Sequence, residues 1–279
     1  MKKFVALLLV LSIMMAFAAC GGNTNPTTKP QASKPVASTP VASTPVASTP
    51  VASQPEGDAV MTYAEFAAIE VVQGGEQVPV VVECYVVAVE SWYNGACHIY
   101  ALCEEGGYYI YGYECTEDEA AELVPGLKIR VSGYKTVWSG EIEIVDATIE
   151  KLEGTAPEFT ADDVTALVGT EDLAKYMNDL VAFKGMTVVA SKDANGNEAA
   201  FLYKWDGSGS QGSDLYFNVA IGETVYTFTV NVYMNGTGVD SEVYKAVEAL
   251  KIGDVIDIEG FLYWYNGAQT HVTAVKTAG

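Results

Sequence analysis

The residues best suited to bind a ligand are ring-bearing side chains between positions 85 and 138. Their flat faces stack on nucleobases or on the apolar faces of sugar rings, and a stacked base contributes about 1–3 kcal/mol in single-strand binders. The set comprises Tyr85, Trp92, His98, Tyr100, Tyr109, Tyr111, Tyr113 and Trp138. We predict that these side chains form the ligand-binding surface of the protein.

Motifs for catalysis or metal binding are weak by comparison. No GxSxG or HExxH sequence occurs, and the two histidines, His98 and His271, stand in different halves of the chain. The segment KDANGNE at 192–198 places oxygen-bearing side chains around a glycine, but the rest of a calcium loop is missing. Its Asn195-Gly196 pair suits a hairpin turn instead. We therefore expect no enzyme activity, no metal site and no cofactor.

Cysteine usage leaves two possibilities open. Beyond Cys20 the chain contains Cys84, Cys97, Cys103 and Cys115. An even number in an exported chain permits two disulfides with three possible pairings. No CxxC pair supports a zinc site, and unpaired cysteines pack as small hydrophobic side chains. The sequence favours buried free thiols without excluding disulfides.

The strongly acidic composition constrains the partner. The chain carries 36 acidic and 15 basic residues, for a formal net charge of −21, and Arg130 is its only arginine. Phosphate backbones are normally held by clustered Lys and Arg, so the composition argues against nucleic acid as a partner. It favours cations, or neutral ligands held by stacking and hydrogen bonds. Glu141 and Glu143, two apart on one predicted strand, are interpreted as solvated carboxylates.

The N-terminal segment has the three parts of a secretory signal peptide. Lys2 and Lys3 are followed by an apolar stretch at 4–17, which is short for a membrane span, and by small residues before Cys20. We predict that residues 1–19 are removed. Cys20 resembles the lipobox cysteine of bacterial lipoproteins, although Phe17 stands where leucine is commoner. In that family the thiol is alkylated with diacylglycerol and the cysteine becomes the new N-terminus.

A proline-rich segment follows Cys20. PVAST occurs three times between residues 35 and 49, and PVASQ closes the series at 50–54. Proline at every fifth position prevents both a helix and a central strand. Residues 20–57 are therefore predicted to be a disordered, semi-extended tether that carries the lipidated cysteine.

An internal repeat organises the rest of the chain. Residues 123–145 and 250–272 align without a gap at an offset of 253 − 126 = 127, and 80–89 matches 181–190 in pattern. The aligned pairs are Leu123 with Leu250, Gly126 with Gly253, Gly133 with Gly260, Trp138 with Tyr265, and Gly140 with Gly267. We predict two related domains, at 58–154 and 155–279.

Each repeat contains the same order of elements. Short helices are predicted at 62–70, 116–124, 170–180 and 240–250, with Thr or Asp as the N-cap of the acidic pair at 116–124 and 240–250. Asn266-Gly267 predicts a tight type I′ hairpin between the last two strands. Helix, three strands, helix and two strands is the order of an OB-fold barrel. The predicted fold is mostly β, with two tandem OB-fold-like five-stranded barrels, each with short helices.

Strand alternation assigns two faces in the first barrel. A turn at Asn94-Gly95 pairs Val86 with Cys103 and Val89 with Tyr100. The inward face is then Val82, Cys84, Val86, Ala88, Ile99, Ala101, Cys103, Tyr108 and Ile110. The outward face is Tyr85, His98, Tyr100, Tyr109, Tyr111 and Tyr113. Trp92 and Trp138 lie in loops at its rims, and the outward tyrosines either meet a ligand or are covered by the N-terminal helix or the second domain.

The element order and glycine placement over most of residues 58–279 resemble those of tandem OB-fold lipoproteins of Gram-positive bacteria, a largely uncharacterised family. The resemblance implies a fold and says nothing of the ligand. We expect a non-catalytic binding lipoprotein, lipid-anchored at the extracellular face of the membrane, that recognises extracellular glycan, cell-wall material or a protein. The alternatives are a nucleic-acid-binding OB-fold protein and a structural or accessory subunit of a surface complex.

Overall fold

The computed structural model describes residues 59–277, which are mostly β-structure and form two closed five-stranded barrels. The predicted fold class is confirmed, because both barrels are OB-fold-like. They belong to one compact unit of the chain. The predicted signal peptide, Cys20 and the tether lie outside the described residues. Within residues 59–277, no helix combines the length and the apolar character needed to cross a bilayer.

The first barrel follows a short helix, α1 (Tyr63–Ala68). Its elements are β1 (Val78–Val89), β2 (Ala96–Leu102), β3 (Gly107–Glu114), α2 (Glu117–Ala121), β4 (Lys128–Trp138) and β5 (Glu141–Leu152). The strand order is β1-β2-β3-β5-β4, and a parallel contact between Ile110 and Ile144 helps to close the barrel. Small and aliphatic side chains such as Val82, Val86 and Ile99 fill its interior, as a narrow barrel requires.

The second barrel is built from later strands in the same order. Its elements are β6 (Asp162–Asp163), β7 (Leu180–Val189), β8 (Ser191–Lys192), β9 (Glu198–Ala199), β10 (Leu202–Tyr203), β11 (Leu215–Ile221), β12 (Thr224–Val230), α3 (Glu242–Glu248), β13 (Val255–Phe261) and β14 (His271–Thr277). Strands β7, β11, β12, β14 and β13 close the barrel. The parallel contact is now between Thr229 and His271, so His271 stands where Ile144 stands in the first barrel.

The helices are short and are fixed by their N-caps. Thr62 and Thr116 each form a capping box with a glutamate three residues later. The cap of α3 is Ser241 rather than the predicted Asp240. The short helix predicted at 170–180 forms as a 3₁₀ helix at Glu171–Tyr176. The Thr170 hydroxyl donates to the Leu167 carbonyl and caps no N–H group of this helix.

The internal repeat is visible in the backbone. Gly126 and Gly253 both have positive φ, at 92° and 95°. Their N–H groups donate to Val86 and Val188 at 2.8 Å in each case. Both copies also carry a register shift at the equivalent glycine, beside Gly133 in β4 and beside Gly260 in β13. The predicted alignment at an offset of 127 therefore describes two strand pairs of the same geometry.

The turn predicted at Asn94-Gly95 forms, but the strand pairing predicted around it does not. Asn94 and Gly95 have φ of 52° and 93°, as a type I′ turn requires. The predicted pairing is wrong, because a bulge at Val87 shifts the register: Val86 pairs with Ala101 and Val89 with Ile99.

The bulge at Val87 also moves one predicted core residue. Ala88 was assigned to the barrel interior, yet it packs outside the barrel among the residues that contact the second barrel. The hairpin predicted at Asn266-Gly267 joins β13 and β14, but its turn is not the predicted two-residue type I′ turn. Residues 262–270 form a longer loop, and the bridge between Trp264 and Ala268 leaves three residues in its turn.

The four described cysteines are free thiols. Cys84 and Cys97 are buried, whereas Cys103 and Cys115 are partly exposed. The sulfur atoms of Cys97 and Cys115 lie 3.8 Å apart. The sequence left free thiols and disulfides open, and within residues 59–277 the structure has free thiols.

The barrels meet through the outward face of β2 and β3. Tyr100, which is fully buried, stacks on Phe261 with ring centroids 4.5 Å apart and an angle of 8° between the planes. The Tyr100 hydroxyl and His271 Nδ1 are hydrogen-bonded at 2.9 Å. Tyr109 and Met234 complete this buried cluster. The second barrel thus covers part of the outward tyrosine face, which is one of the alternatives predicted for these tyrosines.

Two carboxyl groups are enclosed near the same interface. Glu141 is 0% exposed and Glu143 is 4% exposed, so the interpretation of this pair as solvated is wrong. One Glu141 oxygen accepts a hydrogen bond from the Trp264 N–H at 2.5 Å. Burial raises the pKa of Glu143 to about 7 and raises the pKa of Glu141 well above its usual range. The covering barrel is the physical reason, because it removes water from β5.

Alanine at either repeat-equivalent glycine is expected to destabilise the protein. A Cβ atom on Gly260 would lie 2.4 Å from the His271 carbonyl oxygen, and one on Gly133 would lie 2.8 Å from the Val145 oxygen. Overpacking of this kind costs about 1–3 kcal/mol. Denaturant unfolding should therefore show a larger loss for Gly260→Ala than for Gly133→Ala.

Gly238→Ala is the matched control for that pair. Its Cβ would meet nothing closer than the Val232 oxygen at 3.8 Å, so it should change the free energy of unfolding by less than about 0.5 kcal/mol. Equal effects of all three substitutions would contradict the equivalence of the two bulges.

Glu143 is expected to make stability decrease as the pH rises. Its pKa is 4.5 in the reference state and about 7 when folded, so between these values the folded state binds more protons than the unfolded chain. The free energy of unfolding therefore falls as pH rises through this window. Glu143→Gln should remove about 2 kcal/mol of that fall, as measured by urea unfolding between pH 4.5 and pH 7. Glu153→Gln, at an exposed position, should leave the slope unchanged, and an unchanged slope in Glu143→Gln would contradict the assignment.

Candidate ligand-binding cleft

An open cleft of about 710 Å³ lies between the two barrels. The first barrel contributes four ring-bearing side chains to its walls: His98, Tyr109, Tyr111 and Trp138. The second contributes five: Trp205, Tyr216, Tyr263, Tyr265 and His271. Because both barrels supply rings, the cleft can hold a flat ligand between two aromatic walls.

Hydrogen bonds next to residues that line the cleft hold the barrels together. Beside Glu90, the Ser91 N–H donates to the Tyr233 carbonyl at 2.7 Å, and Asn235 Oδ1 accepts from the Val89 N–H at 2.6 Å. Beside Trp138 and Tyr265, the Asn266 N–H donates to the Ser139 carbonyl at 2.7 Å. These bonds fix the distance between the walls.

Pairs of rings are already stacked on each wall. His98 and Tyr111 lie 4.4 Å apart on the first barrel, at an angle of 19°. The Gly112 N–H donates to His98 Nδ1 at 2.9 Å, which fixes the orientation of that ring. Tyr263 and His271 lie 4.4 Å apart on the second barrel, at 20°. Each wall therefore presents a stacked pair that needs little reorganisation to meet a ligand.

The rim of the cleft is formed by two rings at equivalent positions of the repeat. Trp138 ends β4, and Tyr265 stands 127 residues later, in the loop after β13. Their centroids are 5.5 Å apart, and each side chain is 48% exposed. These rings are accessible to a ligand that enters from solvent.

Two carboxyl groups give the cleft its charge. Glu90 accepts a hydrogen bond from the Tyr109 hydroxyl at 3.2 Å, and Asp214 accepts one from the Val232 N–H at 2.9 Å. Burial raises the pKa of Glu90 to about 7 and also raises the pKa of Asp214. The described residues that line the cleft include no Lys or Arg.

Polar groups complete the lining without adding charge. Burial lowers the pKa of His271 to about 3, so the ring is neutral at physiological pH. Asn231, Gln269 and Thr227 supply amide and hydroxyl groups to the cleft. The Thr229 hydroxyl is buried there beside the Tyr216 side chain. The site can therefore form several hydrogen bonds with a ligand.

The predicted site residues separate into two groups. His98, Tyr109, Tyr111 and Trp138 line the cleft, and Tyr100 lies beneath it as part of the barrel interface. The other three lie elsewhere. Tyr85 packs near Phe159 with ring centroids 6.2 Å apart, and the Trp92 indole donates to the Cys115 carbonyl at 2.8 Å. Neither Tyr85 nor Trp92 is among the lining residues.

Tyr113 lies on a different face from the one assigned by strand alternation. It packs against the core of the first barrel. Gly112 has a φ of 66°, and the pairing of β2 with β3 shifts between Cys97 and Ile99. This irregularity reverses the alternation at the end of β3, which is why the parity argument fails there.

The second barrel supplies residues that the sequence analysis did not assign to the site. In the sequence, Tyr263 and Tyr265 alternate with Leu262 and Trp264, which places the two tyrosines on one side of the segment without showing which surface they face. Nothing in the sequence predicts a role in the site for Glu90 or Asp214, because an isolated acidic residue in an acidic chain belongs to no recognisable motif. Only the contact between the barrels brings these groups together.

The described residues contain no arrangement of three or more His, Cys, Asp or Glu side chains suited to a metal ion. The KDANGNE segment forms the hairpin between β8 and β9. Asp193 Oδ1 accepts from the N–H groups of Asn195 and Asn197, each at 2.8 Å. Its carboxylate is thus used in the turn itself.

Comparison with known proteins finds likeness only among solved structures. No protein-family model matches the chain, and no curated protein matches it. A murine DNA-binding protein bound with double-stranded DNA shares 12% identity, covering 72% of this chain and 99% of that one, with a TM-score of 0.33. The p204 HINb domain shares 10%, covering 72% and 98%, with a TM-score of 0.32.

A deletion mutant of the single-stranded DNA-binding protein from Thermus aquaticus shares 11% identity, covering 73% of this chain and 95% of that one, with a TM-score of 0.24. At these values the likeness concerns the fold alone. It nevertheless corrects the argument against nucleic acid, because structures of this kind include DNA-binding proteins. Composition therefore does not exclude nucleic acid as a partner.

Proposed function

We propose that the protein is a non-catalytic binding protein that takes a carbohydrate into the aromatic cleft between its barrels. The observation that carries this proposal is the lining itself: nine ring-bearing side chains, several uncharged hydrogen-bonding groups, and no Lys or Arg. Sugar rings present apolar faces to aromatic side chains and hydroxyl groups to amides and carboxylates. The exposed rim of Trp138 and Tyr265 suits a chain that extends beyond the cleft.

Single-stranded nucleic acid is the second candidate. The observation that favours it is the exposure of Tyr111, Trp138 and Tyr265, because every base has a face that stacks on such rings. The two candidates differ in salt dependence. Binding through phosphates weakens steeply with salt, whereas binding through stacking and neutral hydrogen bonds does not.

Removing one exposed ring is expected to weaken sugar binding. A glycan array identifies the ligand for the full chain, and calorimetry then compares Trp138→Ala with Trp92→Ala. Trp138 lines the cleft and Trp92 does not. We expect a loss of about fivefold for Trp138→Ala, since one stacked ring is worth roughly 1 kcal/mol, and less than twofold for Trp92→Ala.

The same titrations distinguish the rival functions. Binding of an oligonucleotide that falls steeply between 50 mM and 200 mM salt, with no glycan bound, would establish the second candidate instead. Binding of neither ligand would leave the role of an accessory subunit of a surface complex. Equal losses in the two tryptophan variants would place the ligand outside the cleft.

We also propose that the barrels are held at the extracellular face of the membrane by lipid on Cys20. The support is the order of basic, apolar and small residues before Cys20. Cys20→Ala should move the protein from membrane fractions into the medium or the soluble fraction, as followed by immunoblotting. Cys115→Ala, which changes a thiol within the folded region, should leave the protein with the membrane. Persistent membrane association of the Cys20→Ala protein would contradict lipid anchoring.

A further inference from the structure

We propose that the carbohydrate is an amino sugar whose protonated amine binds between Glu90 and Asp214. This inference rests on the proposed carbohydrate function and names the class of sugar. Both carboxyl groups line the same cleft, one from the end of β1 and one from the segment before β11. These two carboxyl groups have no cationic partner among the residues that line the cleft, and a compact ammonium group would provide one.

Neither carboxyl group is neutralised by the protein. The ion pairs among residues 59–277 use other carboxylates, such as Glu83 with Lys128 and Asp163 with Lys184. Glu90 receives hydrogen bonds from the side chains of Tyr109 and Asn231, which are neutral donors. Burying a carboxylate without a cation is costly, so a cationic ligand gains more here than at an exposed carboxylate.

The aromatic walls favour the same kind of ligand. A cation close to a ring face is attracted by the electrons of the ring, and the attraction grows as the cation loses water. Tyr109, Tyr263 and Trp205 surround the cleft together with the two carboxyl groups.

Proton linkage gives the binding a recognisable signature. The pKa of Glu90 is raised to about 7 by burial first, and the charge of Asp214 also raises it. An ammonium group stabilises the ionised form of Glu90, so binding releases a proton from the carboxyl group into solvent. Affinity should then increase as pH rises from 5 to 6, a range in which the sugar amine is still mostly protonated.

A matched series of sugars tests the inference with the full chain. β-1,4-linked tetramers of glucose, N-acetylglucosamine and glucosamine have the same backbone and differ at C2 in a hydroxyl, an acetamide or an amine. Calorimetry at physiological salt should show the glucosamine tetramer binding at least tenfold more tightly than the glucose tetramer. Titrations at pH 5.5 in buffers of different ionisation enthalpy should show proton release only with the glucosamine tetramer.

Variants of equal charge change separate the site from general attraction to an acidic protein. Glu90→Gln and Asp214→Asn should each remove most of the preference for the amine, measured within each variant as the ratio of the affinities for the glucosamine and glucose tetramers. Glu223→Gln, at an exposed position outside the cleft, should keep the preference. A preference for the amine that survives in both cleft variants would overturn the inference. The inference would also be overturned if spermine bound as tightly as the glucosamine tetramer.

The two proposals fail in different ways. If the three tetramers bind with equal affinity and Trp138→Ala weakens all of them, the amino-sugar inference is wrong and the carbohydrate function stands. If no tetramer and no glycan of the array binds, the carbohydrate function is wrong and the inference falls with it.

Discussion

The stack of Tyr100 on Phe261 is the contact on which the cleft depends. Tyr100 lies on the outward face of β2, which in a single barrel would face solvent. Covering that face with the second barrel buries the ring pair and satisfies the Tyr100 hydroxyl through His271. An aromatic pair contributes about 0.5–1.5 kcal/mol beyond its buried area, and an unpaired buried hydroxyl costs about 1–3 kcal/mol. The cleft is therefore a product of docking rather than a property of either barrel.

Duplication explains how two walls can match. Equivalent positions of the repeat place a ring at the end of β4 in the first barrel, Trp138, and in the loop after β13 in the second, Tyr265. Docking brings these two copies together at the rim. The second copy differs in its longer loop at 262–270, whose Trp264 packs on Gly140 of the first. A Cβ at Gly140 would lie 2.7 Å from the Trp264 ring, so the absence of a side chain there lets the loops meet.

The fold was readable from the sequence because its signals are local and repeated. The offset of 127 residues, the glycines with positive φ at Gly126 and Gly253, and strand alternation each constrain the backbone over a few residues. Errors occur where one extra residue enters a strand. The bulge at Val87 moves Ala88 out of the barrel, and the irregularity at Gly112 turns Tyr113 toward the core. No short-range pattern predicts a single bulge, although each one reverses the faces beyond it.

The site was only half readable, and charge shows why. Composition treats every carboxylate as an exposed negative charge, but Glu141 and Glu143 are buried near the barrel interface and Glu90 lines the cleft, and burial raises the pKa of all three. The formal charge of −21 therefore overstates the field that a ligand meets near neutral pH. What a ligand meets is set by the groups that line the cleft, and their grouping follows from contacts between strands more than a hundred residues apart. Partner chemistry is for this reason a property of the docked pair, which net charge cannot report.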